Sequence, residues 1–293
     1  MKLGLHLYDF SWPGGASQLA PTLVQIAHTA EAAGFDRIGA VDHVWQSHYL
    51  GGPEHEVPSC YPTLTYLAAH TSRIKLIALA TASPYWHPVL LAKTVTTLDV
   101  LSGGRAWLGI GAGDYEEEAR GSGLPFPPLA ERYERLEETL QICLRMWQGE
   151  QGDERPFEGK HYRIERPLNL PQSLTRPHPP ILIAGSGEQK TLRLVARYAD
   201  ACNLRPGPEI PQKLAILRQH CEAEGRDYDV IEKTCMFAFD VGEDGSKVDE
   251  LIGQLRWLAS MGIETVIGVV PNIAALTPLE RIGRLVIPAV VDV

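Results

Sequence analysis

The stretch that most constrains the fold of this chain joins a helix, a glycine break, a buried strand and a glycine-rich turn between Leu91 and Glu118. Apolar residues recur at helical spacing up to Leu101, so one face of this helix is expected to pack on a core. Ser102-Gly103-Gly104 ends the helix, because glycine adopts left-handed backbone angles at little steric cost. Ala106-Trp107-Leu108-Gly109-Ile110 is a short apolar run, typical of a parallel strand covered on both faces. The stretch therefore predicts one complete α/β unit.

The turn after this strand allows three interpretations. Gly111-Ala112-Gly113 is followed by Asp114 and the carboxylates Glu116–Glu118. The glycines do not complete the dinucleotide-binding motif GxGxxG, because Asp114 stands where the third glycine belongs. Tight packing followed by a solvated acidic helix start is a second interpretation, since negative charge suits a helix amino terminus. We favour the third, in which this is one of several strand ends of a barrel that together bind a cofactor.

The rest of the chain repeats the alternation of strand and helix. Apolar runs predict eight strands, at Leu3–Tyr8, Arg37–Val41, Ile74–Ala80, Ala106–Ile110, Ile181–Ala184, Ala201–Leu204, Thr234–Val241 and Thr265–Val270. Alternation on this scale implies a parallel sheet with right-handed crossovers. We therefore predict a single (β/α)8 TIM-barrel domain over residues 1–293. An irregular insertion at about 149–180, with a hairpin around 160–164, is expected to cover part of the cofactor mouth as a flap.

Composition argues against several classes of protein. The formal charge of −9 gives no basic face, so we expect no nucleic-acid partner. No run approaches the roughly 18 apolar residues that would span a membrane, and the amino terminus has no apolar region of a signal peptide. The five cysteines are scattered without CxxC spacing, which indicates reduced thiols. We therefore expect a cytoplasmic protein with no membrane partner.

The ends of the strands supply the candidate site residues, because barrels of this kind place the active site there. His43, after the second strand, is the side chain among them that titrates near neutral pH, and the adjacent carboxylate of Asp42 would orient it. A histidine hydrogen-bonded into the barrel rim is the structural alternative. Gly185-Ser186-Gly187 precedes a helix and would suit an anion, because free N–H groups and the helix dipole point at it. An ordinary tight turn explains the same residues equally well.

The strand ends lack the residues that several other classes of enzyme require. There is no metal-ligand spacing and no HExxH, so no metal is expected. Lys75 stands at the amino end of its strand, which disfavours a Schiff-base aldolase. Residues 185–187 lack the GxSxG spacing of a nucleophile elbow. Four aromatic residues near the strand ends would either wall a flat ring or serve as plain packing: Trp45, Tyr85, Trp86 and Tyr115.

Several of these residues together carry a family resemblance. Asp42-His43, the block from Thr97 to Arg105 (TLDVLSGGR), and Gly109–Gly113 with Glu116–Glu118 resemble the luciferase-like monooxygenase superfamily. More narrowly, the chain is similar to the branch of oxidoreductases that use the deazaflavin coenzyme F420. The resemblance covers nearly the whole chain. It implies a (β/α)8 barrel that binds F420 and transfers a hydride to or from a small organic substrate.

The resemblance also implies roles for individual residues. His43 matches the residue that faces the reactive carbon of the deazaflavin, and Asp42 matches a contact to its ring. Leu79-Ala80 stands where relatives often carry a bulge with a non-prolyl cis peptide bond. The three residues Ala112, Gly113 and Asp114 match a further contact to the cofactor, made by backbone and side chain. Ala184, Gly185, Ser186 and Gly187 match the seat of the cofactor phosphate.

Departures from the family pattern leave the substrate open. Relatives usually have Gly-Thr where Ile77-Ala78 stands, many have Trp where Asp114 stands, and Trp45 lies two residues beyond the histidine rather than four. The alternatives are an FMN-dependent monooxygenase of the same superfamily, a redox-silent barrel enzyme such as an isomerase, and a non-catalytic flavin-binding barrel protein. For the assembly we expect a homodimer.

Overall fold

The computed structural model describes residues 1–48 and 51–293 and folds them around a parallel barrel. The strands are β1 (Lys2–Leu7), β2 (Arg37–Ala40), β3 (Lys75–Ala78), β4 (Thr81–Ala82), β5 (Ala106–Gly111), β6 (Phe157–Glu158), β7 (Arg163–Ile164), β8 (Ile181–Ala184), β9 (Ala201–Leu204), β10 (Glu232–Ala238) and β11 (Thr265–Val269). The helices are α1 (Ala16–Ala33), α2 (Cys60–His70), α3 (Pro88–Ser102), α4 (Glu116–Ser122), α5 (Leu129–Met146), α6 (Thr191–Tyr198), α7 (Ile210–Glu224), α8 (Val248–Ser260), α9 (Thr277–Arg281) and α10 (Ile287–Val290).

The barrel closes through the pairing of β3 with β5 and of β1 with β11. Every neighbouring pair of barrel strands runs parallel, and the order of the eight long strands around the barrel is their order along the chain. The predicted (β/α)8 barrel is therefore confirmed. The short strand β4 is an addition, because the third predicted strand ended at Ala80. In the structure β3 ends at Ala78, and a cis peptide bond from Leu79 to Ala80 separates it from β4.

Alternation along the strands divides the side chains between two compartments. Leu3, Leu5 and Leu7 of β1 belong to the large core between the barrel and its helices. The barrel interior is a separate, smaller cluster that includes Ile77, Leu79, Leu182, Ala201 and Ile267. Since successive side chains of a strand point to opposite faces, Gly4 and His6 of β1 face this interior.

The helix boundaries follow the glycine signals of the sequence. Gly103 ends α3 with a φ of 72°, and Gly34 ends α1 with a φ of 92°, both in the left-handed region. In each case the glycine N–H bonds a carbonyl of the last helical turn, which satisfies groups that the helix leaves free. The prediction that Ser102-Gly103-Gly104 stops the helix is thus confirmed.

The insertion at residues 149–180 is anchored on α5 and α3, and its role as a flap over the cofactor mouth stays a prediction. The hairpin forms, as β6 paired with β7, and it packs on the outer side of α5 through Glu138, which accepts the backbone N–H of Tyr162 at 3.0 Å. Farther along, Asn169 donates to Thr96 at 2.9 Å and Thr175 to Asp99 at 2.8 Å, both on α3. Most of the segment has no backbone pairing of the kind found in a sheet. Side-chain hydrogen bonds such as these hold it in place instead.

The amino end of the barrel is closed by an ion cluster of four residues, which we call the amino-end cluster: Asp36, Arg37, Lys75 and Glu232. Nε of Arg37 lies 2.7 Å from Asp36, and its Nη2 lies 2.8 Å from Glu232. Lys75 bonds Asp36 at 2.9 Å, so this lysine has a structural partner. The guanidinium of Arg37 also stacks on Trp107, 4.7 Å from the ring centroid. Within the described residues, no helix is long and apolar enough to cross a membrane.

Candidate active site

The carboxyl end of the barrel holds a histidine fixed by a buried carboxylate. His43 follows β2, and its Nδ1 lies 2.9 Å from Oε2 of Glu118 on α4. The side chain of Glu118 is fully buried, and its second oxygen accepts the backbone N–H groups of Val44 and Trp45 at 2.5 and 3.2 Å. The expectation that Asp42 orients His43 is therefore wrong. Glu118 does so, from a helix 75 residues farther along the chain.

The electrostatics of this pair favour a charged form. Burial alone would raise the pKa of Glu118, but the hydrogen bond from His43 and the two backbone donors lower it. Burial would likewise lower the pKa of His43, but Glu118, Asp114 and Asp42 raise it above its ordinary value. Nδ1 therefore donates to Glu118. Nε2 of His43 makes no hydrogen bond to any described residue, so it is left to meet a ligand.

Asp42 makes no hydrogen bond to His43 in the described chain and has its own partners. Its Oδ2 accepts from Nε1 of Trp86 at 3.0 Å. Burial raises the pKa of Asp42 to about 6, and hydrogen bonds from Thr81 and Trp86 only partly oppose that effect. Thr81 is itself held by the hydroxyl of Tyr61 at 2.8 Å. Asp42 is thus a carboxyl group poised to change charge just below neutral pH.

The residues that follow β3 and β5 meet beside His43. The non-prolyl cis peptide bond implied by the resemblance is present at Leu79-Ala80. Gly113 has a φ of 76°, and a Cβ atom there would lie 3.4 Å from Ala82. The carbonyl of Gly113 accepts from Arg132, which ties the turn Ala112-Gly113-Asp114 to α5. The two segments therefore form adjoining walls of one mouth.

The glycine turn after β8 has free donors and is separated from α6, which begins at Thr191, by a further turn. Gly185 has a φ of 123°, and its N–H bonds Asn203 at 3.0 Å. The N–H groups of Ser186 and Gly187 have no acceptor among residues 1–48 and 51–293. A Cβ on Gly187 would lie 2.9 Å from Oγ1 of Thr191, so glycine is needed where the turn meets the helix. Free backbone N–H groups such as these suit an anion. Ala184 precedes the turn at the end of the strand.

Two residues of the mouth were missed by the sequence analysis. Glu118 was grouped with the solvated carboxylates, yet only Glu116 and Glu117 are exposed. Nothing in its local pattern separates Glu118 from them except its place on the inner side of a seven-residue helix. His6 was counted only as a strand residue, although it is the polar member of the inward-facing set of β1 and is buried.

The aromatic residues near the strand ends gather around the same pair. Tyr115 meets His43 edge-on, with ring centroids 5.9 Å apart. The hydroxyl of Tyr85 donates to the carbonyl of Tyr115 at 3.0 Å, and Trp86 bonds Asp42. Trp45 packs on α4, where a Cβ on Gly121 would lie 2.1 Å from its ring. Each aromatic residue therefore has a packing partner, and together they wall one side of the mouth.

These features define a parallel α/β barrel with an oriented histidine, a titratable carboxyl and a glycine turn whose N–H groups have no acceptor in the described chain. In the described part of the chain, no group of three or more His, Cys, Asp or Glu residues could hold a metal ion. Such a mouth suits an organic cofactor that carries a phosphate.

The chain belongs to the luciferase-like monooxygenase family, and the sequence model of that family matches residues 1–279. It is 30% identical, over 82% of its length and 70% of the relative's, to an F420-dependent glucose-6-phosphate dehydrogenase of Kineococcus radiotolerans. Among solved structures it resembles the monooxygenase RslO1 of Streptomyces bottropensis, with a TM-score of 0.81 at 21% identity, over 98% of this chain and 99% of that one. It also resembles the coenzyme F420-dependent tetrahydromethanopterin reductase of Methanopyrus kandleri, with a TM-score of 0.79 at 18% identity and 98% coverage of both chains. The family predicted from the sequence is confirmed.

Proposed function

We propose that this protein is a coenzyme F420-dependent oxidoreductase that transfers a hydride between the deazaflavin and a small organic substrate. The observation that carries the proposal is the His43–Glu118 pair, held at 2.9 Å in a mouth that also contains an anion seat. The 30% identity to a dehydrogenase described as F420-dependent supports the choice of cofactor. The substrate would be a small molecule, because the reaction moves a hydride between the cofactor and one carbon of an organic compound.

The residues at the mouth fit this cofactor. The ring system would lie against Asp42, Leu79-Ala80 and Ala112-Gly113-Asp114. The phosphate would be held at Ala184, Gly185, Ser186 and Gly187, where two N–H groups have no acceptor within the described residues. Lys190, whose ammonium lies 5.4 Å from the ring centroid of Tyr133, adds a positive charge at the same helix start. Arg193 is engaged by Glu224 at 3.3 Å and contributes less.

The chemistry divides between the cofactor and the protein. Bound F420 supplies the carbon that accepts or gives the hydride. His43 exchanges the proton: in alcohol oxidation its Nε2 takes the hydroxyl proton, and in carbonyl reduction it returns one to the oxygen. Hydride and proton together account for the two-electron change in the substrate. The negative charge of Glu118 stabilises the protonated imidazole and keeps the Nδ1 proton in place.

Cofactor titration tests the proposal directly. F420 and FMN are added separately to the purified protein, and binding is followed through the quenching of cofactor fluorescence. F420 is expected to bind more tightly than FMN. Equal affinities, or FMN bound at one per chain as purified, would point to the FMN-dependent monooxygenase instead. Binding without any turnover across a panel of alcohols, enones and imines would leave a non-catalytic flavin-binding protein.

The phosphate seat has its own test in Gly185→Val. The φ of 123° at Gly185 is strained for any side chain, and the new Cβ would lie 3.3 Å from Thr191. We expect the affinity for F420 to fall about 10- to 100-fold, because charge-assisted hydrogen bonds to the phosphate are lost. Gly225→Val is the control, since Gly225 also has a positive φ, of 66°, but lies at the end of α7 with open space around it. An equal loss in both variants would place the phosphate elsewhere.

We further propose that residues 1–293 act as one domain, that two chains form a homodimer and that the protein is cytoplasmic. Leucines on α3 and the insertion are unusually exposed, and they support a dimer face: Leu90 at 62%, Leu101 at 61%, Leu170 at 60% and Leu174 at 57%. The five buried free cysteines suit a reducing compartment. Light scattering that gives the mass of one chain, 32.3 kDa, would contradict the dimer.

A further inference from the structure

His6 is a buried histidine without a hydrogen-bond partner. It lies near the end of β1, and only 4% of it is accessible to solvent. Both Nδ1 and Nε2 are buried, and neither has a partner among the residues that the structure describes. Buried imidazoles in proteins normally bond a carboxylate, a carbonyl or a water molecule. The two free nitrogens of His6 therefore require an explanation.

The position of His6 connects it to the candidate site. Its side chain faces the barrel interior next to Gly39 and Leu79: a Cβ on Gly39 would lie 3.5 Å from Cδ2 of His6 and 3.4 Å from Cβ of Leu79. Leu79 begins the cis peptide bond that borders the mouth. His43 is near enough to help lower the pKa of His6, and the ring of Tyr8 is centred 6.5 Å away. His6 thus forms part of the floor beneath the mouth.

A buried imidazole at position 6 does not help to stabilise the fold. Burial lowers the pKa of His6 to about 4, the backbone of Leu79 partly opposes this effect, and the charge of His43 adds to it. The ring is therefore neutral at physiological pH and offers one N–H donor and one acceptor nitrogen. Leaving both unpaired in an apolar interior is unfavourable, and an aliphatic residue such as those nearby at Ile77 and Ile267 would avoid the penalty.

We infer that His6 is a ligand-contacting residue of this mouth, where its imidazole hydrogen-bonds an uncharged carbonyl, hydroxyl or N–H group of the bound molecule. The inference rests on the proposed function in one respect, that a cofactor and a substrate occupy the mouth. Gly39 has no side chain, so the ring has space beside it to turn toward the ligand. The edge of the deazaflavin ring and the oxygen of the substrate both present this chemistry.

The test compares stability with ligand binding in three variants. His6→Leu should raise the melting temperature by roughly 2–4 °C, because it removes a buried unpaired polar group, and should weaken ligand binding at least about fivefold. His6→Asn keeps one donor and one acceptor and should recover part of the binding. Thr139→Val is the control: Oγ1 of Thr139 is also buried and unpaired within the described chain, but it lies on α5. Its melting temperature should rise or hold with no change in binding.

Two measurements identify the partner of His6. A weaker dissociation constant for F420, measured by fluorescence on the protein without substrate, assigns the contact to the cofactor ring. An unchanged cofactor affinity with a raised KM and a maintained kcat assigns it to the substrate oxygen. If His6→Leu leaves both constants at the wild-type values, the inference is overturned while the proposed function stands. If the wild-type protein binds FMN and not F420, the proposed function fails, and the same two constants measured with FMN decide the role of His6.

Discussion

The two ends of the barrel both bury charge, but they use it differently. In the amino-end cluster, Arg37 is 1% exposed and bonds Asp36 and Glu232 at 2.7 and 2.8 Å. Lys75 adds a further bond to Asp36, and Thr265 donates to Glu232 at 2.5 Å. Of the guanidinium nitrogens of Arg37, only Nη1 lacks a partner in the described residues. Opposite charges there are matched almost completely.

At the carboxyl end, some buried polar groups have hydrogen-bonding atoms without a partner in the described chain. His43 uses Nδ1 on Glu118 and keeps Nε2 free, and His6 has no partner for either nitrogen within the described chain. The pKa of Asp42 is raised to about 6, whereas that of Asp36 at the other end is lowered by Arg37 and Lys75 against the effect of burial. Buried charge by itself therefore does not mark a functional site. Buried polar groups without a hydrogen-bond partner, and groups whose pKa lies near neutral pH, indicate a functional site better.

The largest effect is expected from His43→Ala at the carboxyl end. Turnover should fall by roughly 100- to 10,000-fold, the usual contribution of a positioned general acid or base. The variant should stay folded and keep nearly its full affinity for F420, because the other proposed cofactor contacts lie on other strand ends. Its melting temperature should fall by a few degrees, since the buried Glu118 then keeps only its two backbone donors. His28→Ala, on the exposed face of α1, is the control for loss of a histidine. A variant that melts earlier yet turns over normally would make His43 a structural residue and erase the contrast between the two ends.

Arg37→Met at the amino end should lower stability and leave turnover unchanged. Removing one partner of a buried ion cluster leaves Asp36 and Glu232 facing each other without a cation between them. The free energy of unfolding in urea should fall by about 3–5 kcal/mol, while the folded fraction keeps its turnover. Arg284→Met, on an exposed residue, should change stability by less than about 0.5 kcal/mol. A large loss of turnover in folded Arg37→Met would mean that the amino end also serves catalysis.

The smallest effect, and the sharpest comparison, lies in the pH dependence of two aspartates. The folded-state pKa of Asp42 is raised to about 6, so its stability contribution is present below pH 4 and is lost as pH rises through 6. Asp42→Asn should therefore gain stability relative to wild type above pH 6, by on the order of 1–3 kcal/mol. Asp36 has a lowered pKa, so Asp36→Asn should lose stability at neutral pH, and the loss should shrink in acid. Melting temperatures from about pH 2 to 8 measure both, because the Asp42 change falls between pH 4 and 6 and the Asp36 change falls below pH 4. Differences from wild type that change with pH in the same direction for both variants would contradict the assignment.

The architecture was readable from the sequence because its signals are local. Each strand is a short apolar run and several helices end at a glycine, as at Gly34 and Gly103, so the alternation appears within windows of a few residues. His43 and the glycines at 185–187 could be proposed as site residues from the sequence, because the ends of parallel strands meet at one mouth whatever the register of the barrel. The family block around residues 97–105 is likewise contiguous.

The partnerships inside the site were decided only by the tertiary structure. His43 meets Glu118 across 75 residues, and Arg37 meets Glu232 across 195. Neighbours in sequence suggested Asp42 as the partner of His43, but its carboxyl turns to Trp86. Which side chains meet depends on strand register and helix placement, and these are set by packing over the whole barrel. For the same reason, the long irregular stretch at 149–180 did not reveal from its sequence that it packs on α3 and α5.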